Sequence, residues 1–286
     1  IPAYNEEKNI AKIITELKKI TNTIIVCNDG SSDLTGEIAK ELGAIVINHP
    51  ENKGYGAAIR SIFLKAKELN LENLVTFDAD GQHRIEDIKL VFEPINDNIA
   101  DIVIGSRFLE EKSEEMPNYR KIGIKLITKV TNLSITEKLT DSQSGFRAYS
   151  KKVLAEIIPT DEGMGVSTEL LIKASKLDYK IAEVPIKVNY KGDTSTHDPV
   201  SHGTSVIMST LKYTSIHNPL KFYGIPGIVF LIIGLSFIAW TIQVYSIEQE
   251  IITNISLIGI GGVVLGTVLL MTAVILFSIV TVVKEK

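Results

Sequence analysis

Residues 74–83, with the sequence LVTFDADGQH, decide the fold. Their β-branched, aliphatic and aromatic beginning predicts a buried strand, and Gly81 predicts a turn after it. Asp78 and Asp80 then lie at the carboxyl end of this strand, where ligands bind in open α/β sheets. Both carboxylates can face one Mg²⁺ or Mn²⁺ ion, because side chains two residues apart point the same way, and Gln82 can add a carbonyl oxygen. A solvated Asp-x-Asp-Gly turn explains the stretch, taken alone, equally well.

Strands and helices alternate along the chain on both sides of this segment. Asn5 is placed to cap a helix from Glu6 to about Lys19, whose apolar residues recur at helical spacing. Strands at 24–26 and 44–47 and a helix at about 57–69 follow. This order predicts an α/β domain with a mainly parallel, doubly wound sheet.

The composition limits the classes of partner. The chain has 286 residues, a net charge of -4 and an isoelectric point of about 5.8. We predict no nucleic-acid partner, because nucleic-acid-binding proteins usually carry a strongly basic face. The single cysteine, Cys27, excludes an intrachain disulfide and lies in an apolar segment, which is typical of a buried structural thiol. The chain opens in what looks like the end of a strand, so we expect a few strand residues to precede it.

Two long apolar runs follow the α/β region. Residues 222–247 and 251–283 contain no charged side chain, and about 20 apolar residues span a bilayer. We therefore predict two transmembrane helices, at about 223–245 and 255–283, rather than buried core helices. Lysines flank the outer ends, so the positive-inside rule places the large domain in the cytosol of a multi-pass membrane protein. Small residues in the second run predict a close packing face, for the hairpin or an oligomer, at Gly259, Gly261, Gly262 and Gly266.

Two polar loops of the α/β region suggest ligand contacts. In the loop at 28–33, the carboxylate of Asp29 can accept hydrogen bonds from a nucleobase or ribose, although for this segment alone an ordinary turn with Asp33 as a helix cap is the better explanation. In the loop at 52–56, the glycines open a helix whose N-terminus could face phosphate, or they permit a tight strand-to-helix connection with Lys53 near a ligand.

Three segments share their order and spacing with one enzyme family: PAYNEE at 2–7, NDGSSD at 28–33 and DADGQH at 78–83. They resemble the GT-A glycosyltransferases of family 2, and more closely the dolichyl-phosphate mannose and glucose synthases and their polyprenyl-phosphate relatives. GSR at 105–107 and DSQSGFR at 141–147 support the resemblance, which covers residues 1 to about 190. Together with the two apolar runs, it predicts a GT-A domain at 1–200, a membrane-proximal helix or linker at 201–221 and the hairpin at 222–286.

The resemblance implies which residues bind the donor. The nucleotide sugar would be held by six residues: Pro2, Tyr4, Glu6, Asp29, Asp78 and Asp80. The cation, Mg²⁺ or Mn²⁺, would be held by Asp78, Asp80 and Gln82.

The resemblance also implies an acceptor site. Arg107 would face the phosphate of the acceptor lipid, with Arg120 as a second contact, since a guanidinium binds phosphate bidentately. Asp141 would lie at the donor or the acceptor phosphate, so the predicted catalytic residues are Asp80, Arg107 and Asp141. Some relatives have a serine after the second arginine where the segment around Ile124 presents none.

The implied reaction is the inverting transfer of a hexose, from a donor of the UDP-glucose or GDP-mannose type, to dolichyl or polyprenyl phosphate at the cytosolic membrane face. The product would be a lipid-phosphate-linked sugar for glycan synthesis or protein glycosylation. One alternative is a polysaccharide synthase, but its Gln-x-x-Arg-Trp motif is absent and Trp240 lies in a membrane span. Another is an inactive nucleotide-binding membrane scaffold, which would not need the complete set of site residues.

Two further segments yield predictions. Residues 119–139 read as a helix with Ile122, Leu126, Val130 and Leu133 on one face, which suits the membrane interface and the domain core equally. The polar loop at 190–203 is predicted to be a lid over the substrates. His197, Asp198 and His202 in this loop lack the further ligands that a zinc site needs.

Overall fold

The structure is a computed structural model that describes residues 1–110, 116–188, 211, 214–216, 218–250 and 252–284, with side chains up to residue 282. The chain forms two compact units, Ile1–Thr210 and Leu211–Lys286. The predicted lid at 190–203, with His197, Asp198 and His202, lies outside the described residues. So does most of the predicted linker at 201–221.

Strands and helices alternate in the first unit. The strands are β1 Pro2–Ala3, β2 Ile25–Asp29, β3 Ile45–His49, β4 Asn73–Thr76, β5 Ile102–Ser106, β6 Arg147–Ser150 and β7 Ile181–Pro185. The helices are α1 Glu7–Leu17, α2 Thr35–Glu41, α3 Tyr55–Glu68, α4 Ile88–Asn96, α5 Asn118–Thr131, α6 Lys151–Glu156 and α7 Val166–Lys176, with a 3₁₀ turn at Ile85–Asp87.

The strands form two sheets. β1, β2 and β3 pair in parallel in that order, and the second sheet has the order β4-β6-β5-β7. β5 and β7 are parallel, whereas β6 is antiparallel to both of its neighbours. The predicted mainly parallel α/β class is confirmed, and antiparallel β6 is the strand that the alternation of elements did not predict.

Apolar side chains fill both faces of the sheets. In β2 the side chains alternate, so that Cys27 packs with Phe63 of α3 in one cluster and Val26 packs with Ile10 of α1 in the other. Burial raises the pKa of the Cys27 thiol to about 12. The prediction of a structural thiol is confirmed, because a buried thiol with this pKa carries no nucleophilic thiolate at neutral pH.

The predicted cap of α1 is wrong. Asn5 has a positive φ of 55°, and its Oδ1 accepts a hydrogen bond from the backbone N–H of Ser32 at 2.9 Å. The first backbone donors of the helix instead reach the neighbouring loop, where Thr35 Oγ1 accepts from the N–H of Glu6 at 2.7 Å and Asp33 Oδ2 from that of Glu7 at 3.1 Å. Asparagine tolerates the left-handed region, so Asn5 ties the two loops together.

Helix α5 ends at Thr131 and not near Leu139 as predicted. After the helix, the Asn132 side chain forms two hydrogen bonds with the backbone of Leu139 and so closes a loop. Nδ2 donates to the carbonyl oxygen of Leu139 at 2.8 Å, and Oδ1 accepts from the Leu139 N–H at 3.1 Å. Such side-chain bonds to the backbone compete with helical ones. The apolar periodicity continues past 131 although the helix does not.

The predicted apolar stripe of α5 lies outward. Ile122 and Leu126 are 67% and 53% exposed, whereas Ile124, Ile127 and Thr131 are buried. The helix therefore packs on the core through a different face. The stripe was predicted to face either the membrane interface or the domain core, and Ile122 and Leu126 do not pack on the core.

The second unit contains two long apolar helices, α8 Ile225–Glu248, preceded by a π-helical turn at Leu220–Gly224, and α9 Thr253–Lys284. The segments Leu220–Glu248 and Thr253–Val282 are long and apolar enough to cross a membrane. In each, only 11% of the most apolar 18-residue window is buried, which distinguishes them from core helices.

Glycines bring α8 and α9 into close contact. A Cβ at Gly234 would lie 2.5 Å from the backbone nitrogen of Val263 and 2.8 Å from the carbonyl carbon of Gly262, and one at Gly266 would lie 2.7 Å from the backbone nitrogen of Leu231. Of the four glycines predicted to form a packing face, Gly259, Gly262 and Gly266 serve the hairpin itself. Gly261 has no such neighbour within 4 Å among the described residues.

Candidate active site

Asp78 follows β4, where the sequence predicts it. Its carboxylate accepts hydrogen bonds from two side chains, from the Tyr55 hydroxyl on Oδ1 at 3.2 Å and from His83 Nε2 on Oδ2 at 3.3 Å. The Asp78 side chain remains 25% exposed. It is therefore fixed by the protein and still open to a ligand.

The two aspartates of the motif differ electrostatically. Burial opposes ionisation of Asp78, but the hydrogen bonds from His83 and Tyr55 and the charge of Arg107 outweigh it, and the pKa of Asp78 falls. Burial and the neighbouring charge of Asp78 raise the pKa of Asp80, although Oδ1 accepts a hydrogen bond from the Gln82 N–H at 2.9 Å. Asp80 thus carries a charge that the protein compensates less well.

Glu6 joins the same acidic cluster. Burial, followed by the charges of Asp80, Asp33 and Asp78, raises the pKa of Glu6 in spite of a hydrogen bond from Asn9. Glu6, near the beginning of the chain, therefore lies within electrostatic reach of the aspartates that follow β4.

Asp29 ends β2 and is 4% exposed. Its Oδ1 accepts hydrogen bonds from the Lys53 N–H at 3.0 Å and from His49 Nδ1 at 2.6 Å, and Oδ2 accepts from the Gly54 N–H at 2.8 Å. Asp29 consequently fixes the connection into α3. Since Tyr55 begins that helix and reaches Asp78, the predicted nucleoside residue and the aspartate motif are linked through this connection.

Arg107, immediately after β5, forms a bidentate ion pair with Asp141. Arg107 Nε donates to Oδ2 at 2.6 Å and Nη2 donates to Oδ1 at 2.8 Å, while the Arg107 backbone N–H also bonds to Oδ2. The Asp141 side chain has no exposed surface, whereas that of Arg107 is 16% exposed. Burial opposes ionisation of Asp141, but Arg107 outweighs it and lowers the pKa of Asp141.

Glu183 of β7 supports this pair from behind. Its carboxylate accepts hydrogen bonds from the backbone N–H groups of Thr140 and Asp141, both at 2.8 Å, and from the Thr140 hydroxyl at 3.0 Å. The segment at 140–141 is therefore pinned before it reaches Arg107. The charged residue within an otherwise apolar strand is the sequence signal that could have identified Glu183.

Arg147 shapes the rest of the DSQSGFR motif. It is 1% exposed and donates to three backbone carbonyl oxygens, those of Ser142, Ser144 and Ser167, at 2.7–2.9 Å. The loop that it holds includes Gly145, where a Cβ would collide with the Tyr55 hydroxyl and lie within 2.9 Å of both Asp78 carboxylate oxygens. The motif thus forms one wall around Asp78.

Residues 1–158 match the profile of the family described as glycosyl transferase family 2. The chain belongs to this family. The protein is therefore a glycosyltransferase. The family that the sequence motifs predicted is confirmed.

Two relatives of this glycosyltransferase have informative names. The UDP-N-acetylglucosamine–dolichyl-phosphate N-acetylglucosaminyltransferase of Methanococcus voltae is 38% identical in an alignment of 230 positions that covers 73% of this chain and 89% of that protein. The dolichyl-phosphate hexose transferase of Haloferax volcanii is 33% identical over 211 residues, which are 73% of this chain and 90% of that protein.

A solved structure confirms the GT-A fold. Glucosyl-3-phosphoglycerate synthase from Mycobacterium tuberculosis, in complex with Mn²⁺ and UDP-glucose, superposes with a TM-score of 0.56 at 20% identity, over 74% of this chain and 76% of that one. At this identity the similarity establishes the architecture of the glycosyltransferase and not its substrates.

The donor set of this glycosyltransferase fits a divalent cation. Among the described residues no three histidine, cysteine or acidic side chains converge closely enough to hold a metal ion. Mg²⁺ and its analogues, however, usually take one or two carboxylates together with water and substrate phosphates. Asp78 and Asp80 supply such a pair, and the raised pKa of Asp80 marks negative charge that a cation would offset.

The predicted acceptor residue Arg120 lies in the first turn of α5 and is exposed. Its charge lowers the pKa of Asp80, against the larger opposing effects of burial and Asp78. Sequence reasoning missed Tyr55, His83 and Glu183, each of which acts on a predicted site residue.

Proposed function

We propose that this glycosyltransferase transfers a hexose from a UDP-linked donor to the phosphate of dolichyl or another polyprenyl phosphate, with inversion at the anomeric carbon. The two relatives named above act on dolichyl phosphate and align over about nine tenths of their lengths. The observation that carries the proposal is the juxtaposition of an acidic pair, Asp78 and Asp80, with an arginine fixed by a buried carboxylate. The two sets suit a cation-bound diphosphate and a phosphate acceptor.

On the donor side, Asp29 and the segment at 2–6 would hold the nucleoside, through Pro2, Tyr4 and Glu6. Asp78, Asp80 and Gln82 would hold the diphosphate through Mg²⁺ or Mn²⁺, oxygen ligands being those that these ions prefer. When bound, the cation would offset the negative charge that develops on the departing diphosphate.

On the acceptor side, Arg107 would bind the phosphate, with Arg120 as a second contact. Asp141 has no exposed surface, so its role in this proposal is to orient Arg107 rather than to touch a substrate. A fixed guanidinium stabilises charge without reorganising during the reaction.

The chemistry needs no strong general base. The second pKa of a phosphate monoester is about 6, so the acceptor is an anion at neutral pH. One of its oxygens attacks the anomeric carbon, and the electron pair of the broken carbon–oxygen bond leaves with the nucleoside diphosphate. The protein must hold two anions together, and Arg107 and the cation-binding pair serve that purpose.

The two apolar helices would anchor the catalytic domain at the membrane. We propose a cytosolic domain over residues 1–200, a membrane-proximal segment over 201–221 and a hairpin over 222–286. Lys221 is the second residue of the first candidate span and Lys284 follows the second, so lysines mark the outer ends of the hairpin, which supports this orientation. The outward apolar side chains of α5, with lysines beside them, suit contact with the bilayer surface.

A panel of UDP- and GDP-hexoses tests the proposal. Purified full-length protein in detergent receives each donor, Mg²⁺ or Mn²⁺ and a polyprenyl phosphate, and mass spectrometry identifies the product. We expect a monohexosyl lipid phosphate from a UDP-hexose, formed only with the metal. Transfer from no donor, with nucleotide binding intact, would refute the lipid phosphate as acceptor.

A further inference from the structure

We propose that Tyr55 and His83 are positioning residues that hold Asp78 in the orientation in which it receives the cation and diphosphate of the donor. This inference rests on the proposed function, because it assigns the second layer of contacts around the same site. It adds two residues that the motifs do not mark as functional.

The contacts of Asp78 come from three elements. Tyr55 is the first residue of α3, His83 belongs to the turn after β4, and Gly145 belongs to the loop that Arg147 holds. Tyr55 and His83 each donate to a different oxygen of Asp78, at 3.2 and 3.3 Å. The absence of a Cβ at Gly145 leaves room for this arrangement, because an added Cβ would meet the Tyr55 hydroxyl and both carboxylate oxygens.

This pattern leaves Asp78 able to bind a ligand. Each carboxylate oxygen has about two lone-pair sites, so one donor on each oxygen leaves one site on each. With the side chain 25% exposed, the remaining sites can be reached from solvent. Two donors fix the rotation of a carboxylate, and such support is what orients metal ligands generally.

His83 is itself held rigidly. Its side chain is 8% exposed, and its ring lies 5.8 Å from that of Phe77 and 5.1 Å from that of Phe146. Its backbone bridges to Val188 of the segment after β7. Nδ1 is buried with no hydrogen-bond partner among the described residues, so Nε2 is the ring atom through which His83 bonds to Asp78.

Asp80 provides the internal comparison. Its carboxylate accepts a backbone hydrogen bond from Gln82, two residues away, which belongs to the turn itself. Asp78 is instead anchored by two side chains, that of His83 five residues further along and that of Tyr55, 23 residues away on α3. Asp78 is therefore the rigid member of the pair, whose position depends on residues that do not touch the donor.

Conservative variants test this role. Tyr55→Phe removes only the hydroxyl, and Tyr179→Phe is its matched control, because the Tyr179 hydroxyl bonds to Glu156 away from the aspartates. His83→Leu removes the donor, and His83→Gln restores an N–H donor at a similar reach. The readouts are the Mn²⁺ affinity in the presence of UDP, measured by electron paramagnetic resonance, and the separate kcat and KM for the donor.

We expect Tyr55→Phe and His83→Leu each to weaken Mn²⁺ binding about tenfold, the lower end for residues that support metal ligands. Donor KM should rise, acceptor KM should stay unchanged, and His83→Gln should recover most of the loss while Tyr179→Phe matches the wild type. Mn²⁺ affinities within twofold of the wild type in Tyr55→Phe would overturn the inference, even if His83→Leu does not fold. Weakened Mn²⁺ binding without any hexose transfer to lipid by the wild type would instead sink the proposed function and leave the inference standing.

Discussion

The two sides of the site treat charge in opposite ways. The proposed donor side, consisting of Glu6, Asp78 and Asp80, gathers carboxylates that repel one another, and the pKa values of Glu6 and Asp80 are raised. The proposed acceptor side, consisting of Arg107 and Asp141, pairs its charges within the protein at 2.6 and 2.8 Å. One side has surplus negative charge and the other is close to balanced.

This difference indicates what each side binds. Surplus carboxylate charge is unfavourable in the protein alone and is relieved when a cation arrives with the donor. An arginine that is already held in a bidentate ion pair is ordered before its ligand arrives. A site that holds its carboxylates and its arginine in separate, fixed positions can bind a diphosphate and a phosphate close together, because the arginine does not form an ion pair with the metal-binding carboxylates.

Removing a donor-side carboxylate should have the largest effect. In Asp78→Asn one metal-ligating oxygen is lost, and we expect kcat to fall about 1,000-fold, the scale of losing a central electrostatic contact. Hexose transfer by the purified enzyme measures it. Asp97→Asn, an exposed residue after α4, is the control and should be fully active. Activity within tenfold of the wild type in Asp78→Asn would break the assignment of the donor side.

Replacing the fixed guanidinium by a flexible ammonium tests the acceptor side. Arg107→Lys keeps the charge but loses the bidentate geometry with Asp141. We expect kcat/KM for the polyprenyl phosphate to fall about 100-fold, since hydrogen bonds between charged groups contribute about 1.5–3 kcal/mol. The dissociation constant of UDP should stay unchanged. A loss confined to UDP binding would place Arg107 on the donor side instead.

An aspartate-to-asparagine substitution should change the thermal stability of the protein in opposite directions at Asp80 and at Asp141. Asp80→Asn removes repelling charge and should raise the thermal midpoint at pH 7 in EDTA. Asp141→Asn breaks the ion pair with Arg107. It should lower the free energy of unfolding by about 2 kcal/mol, and the thermal midpoint with it. Midpoints of both variants that move the same way would contradict the comparison.

The pH dependence of Asp141 sharpens this test. Because the pKa of Asp141 is lowered on folding, its stabilisation is complete above the unfolded pKa of about 3.9 and is lost as the pH falls through the folded pKa. The difference in midpoint between the wild type and Asp141→Asn should therefore be constant from pH 7 to pH 5 and shrink below pH 4. Thermal unfolding across this range measures it.

Local sequence patterns predicted where Asp78 and Asp80 lie in the fold. Asp78 and Asp80 are placed by a strand and a glycine turn within ten residues of sequence, and neither requires knowledge of the rest of the fold. The pairing of Arg107 with Asp141 spans 34 residues and depends on antiparallel β6, which the strand–helix alternation did not predict. The prediction that Asn5 caps α1 was wrong for the same reason, because its hydrogen-bond partner Ser32 lies 27 residues away.

Periodicity alone also could not identify the buried face of α5. The stripe containing Ile122 and Leu126 has the spacing of a core face, but Ile124 and Ile127 are the side chains that are buried. The spacing of apolar residues in a sequence shows which of them share a helix face, but it does not show which face of the helix packs against the domain. The exposed apolar face of α5 fits the proposal that the acceptor comes from the membrane.

A substitution in that face gives the smallest predicted effect. Leu126→Asp puts a charge into the outward stripe of α5 and should leave the fold intact, because Leu126 is 53% exposed. We expect about a tenfold loss of transfer to polyprenyl phosphate in anionic vesicles, since a charge opposes contact with the bilayer surface. The loss should disappear in detergent, where no bilayer has to be approached. Leu177→Asp, at a leucine 48% exposed at the end of α7, is the matched control. Equal rates for the two variants in vesicles would show that the stripe does not face lipid, and the acceptor side would then receive its substrate without help from α5.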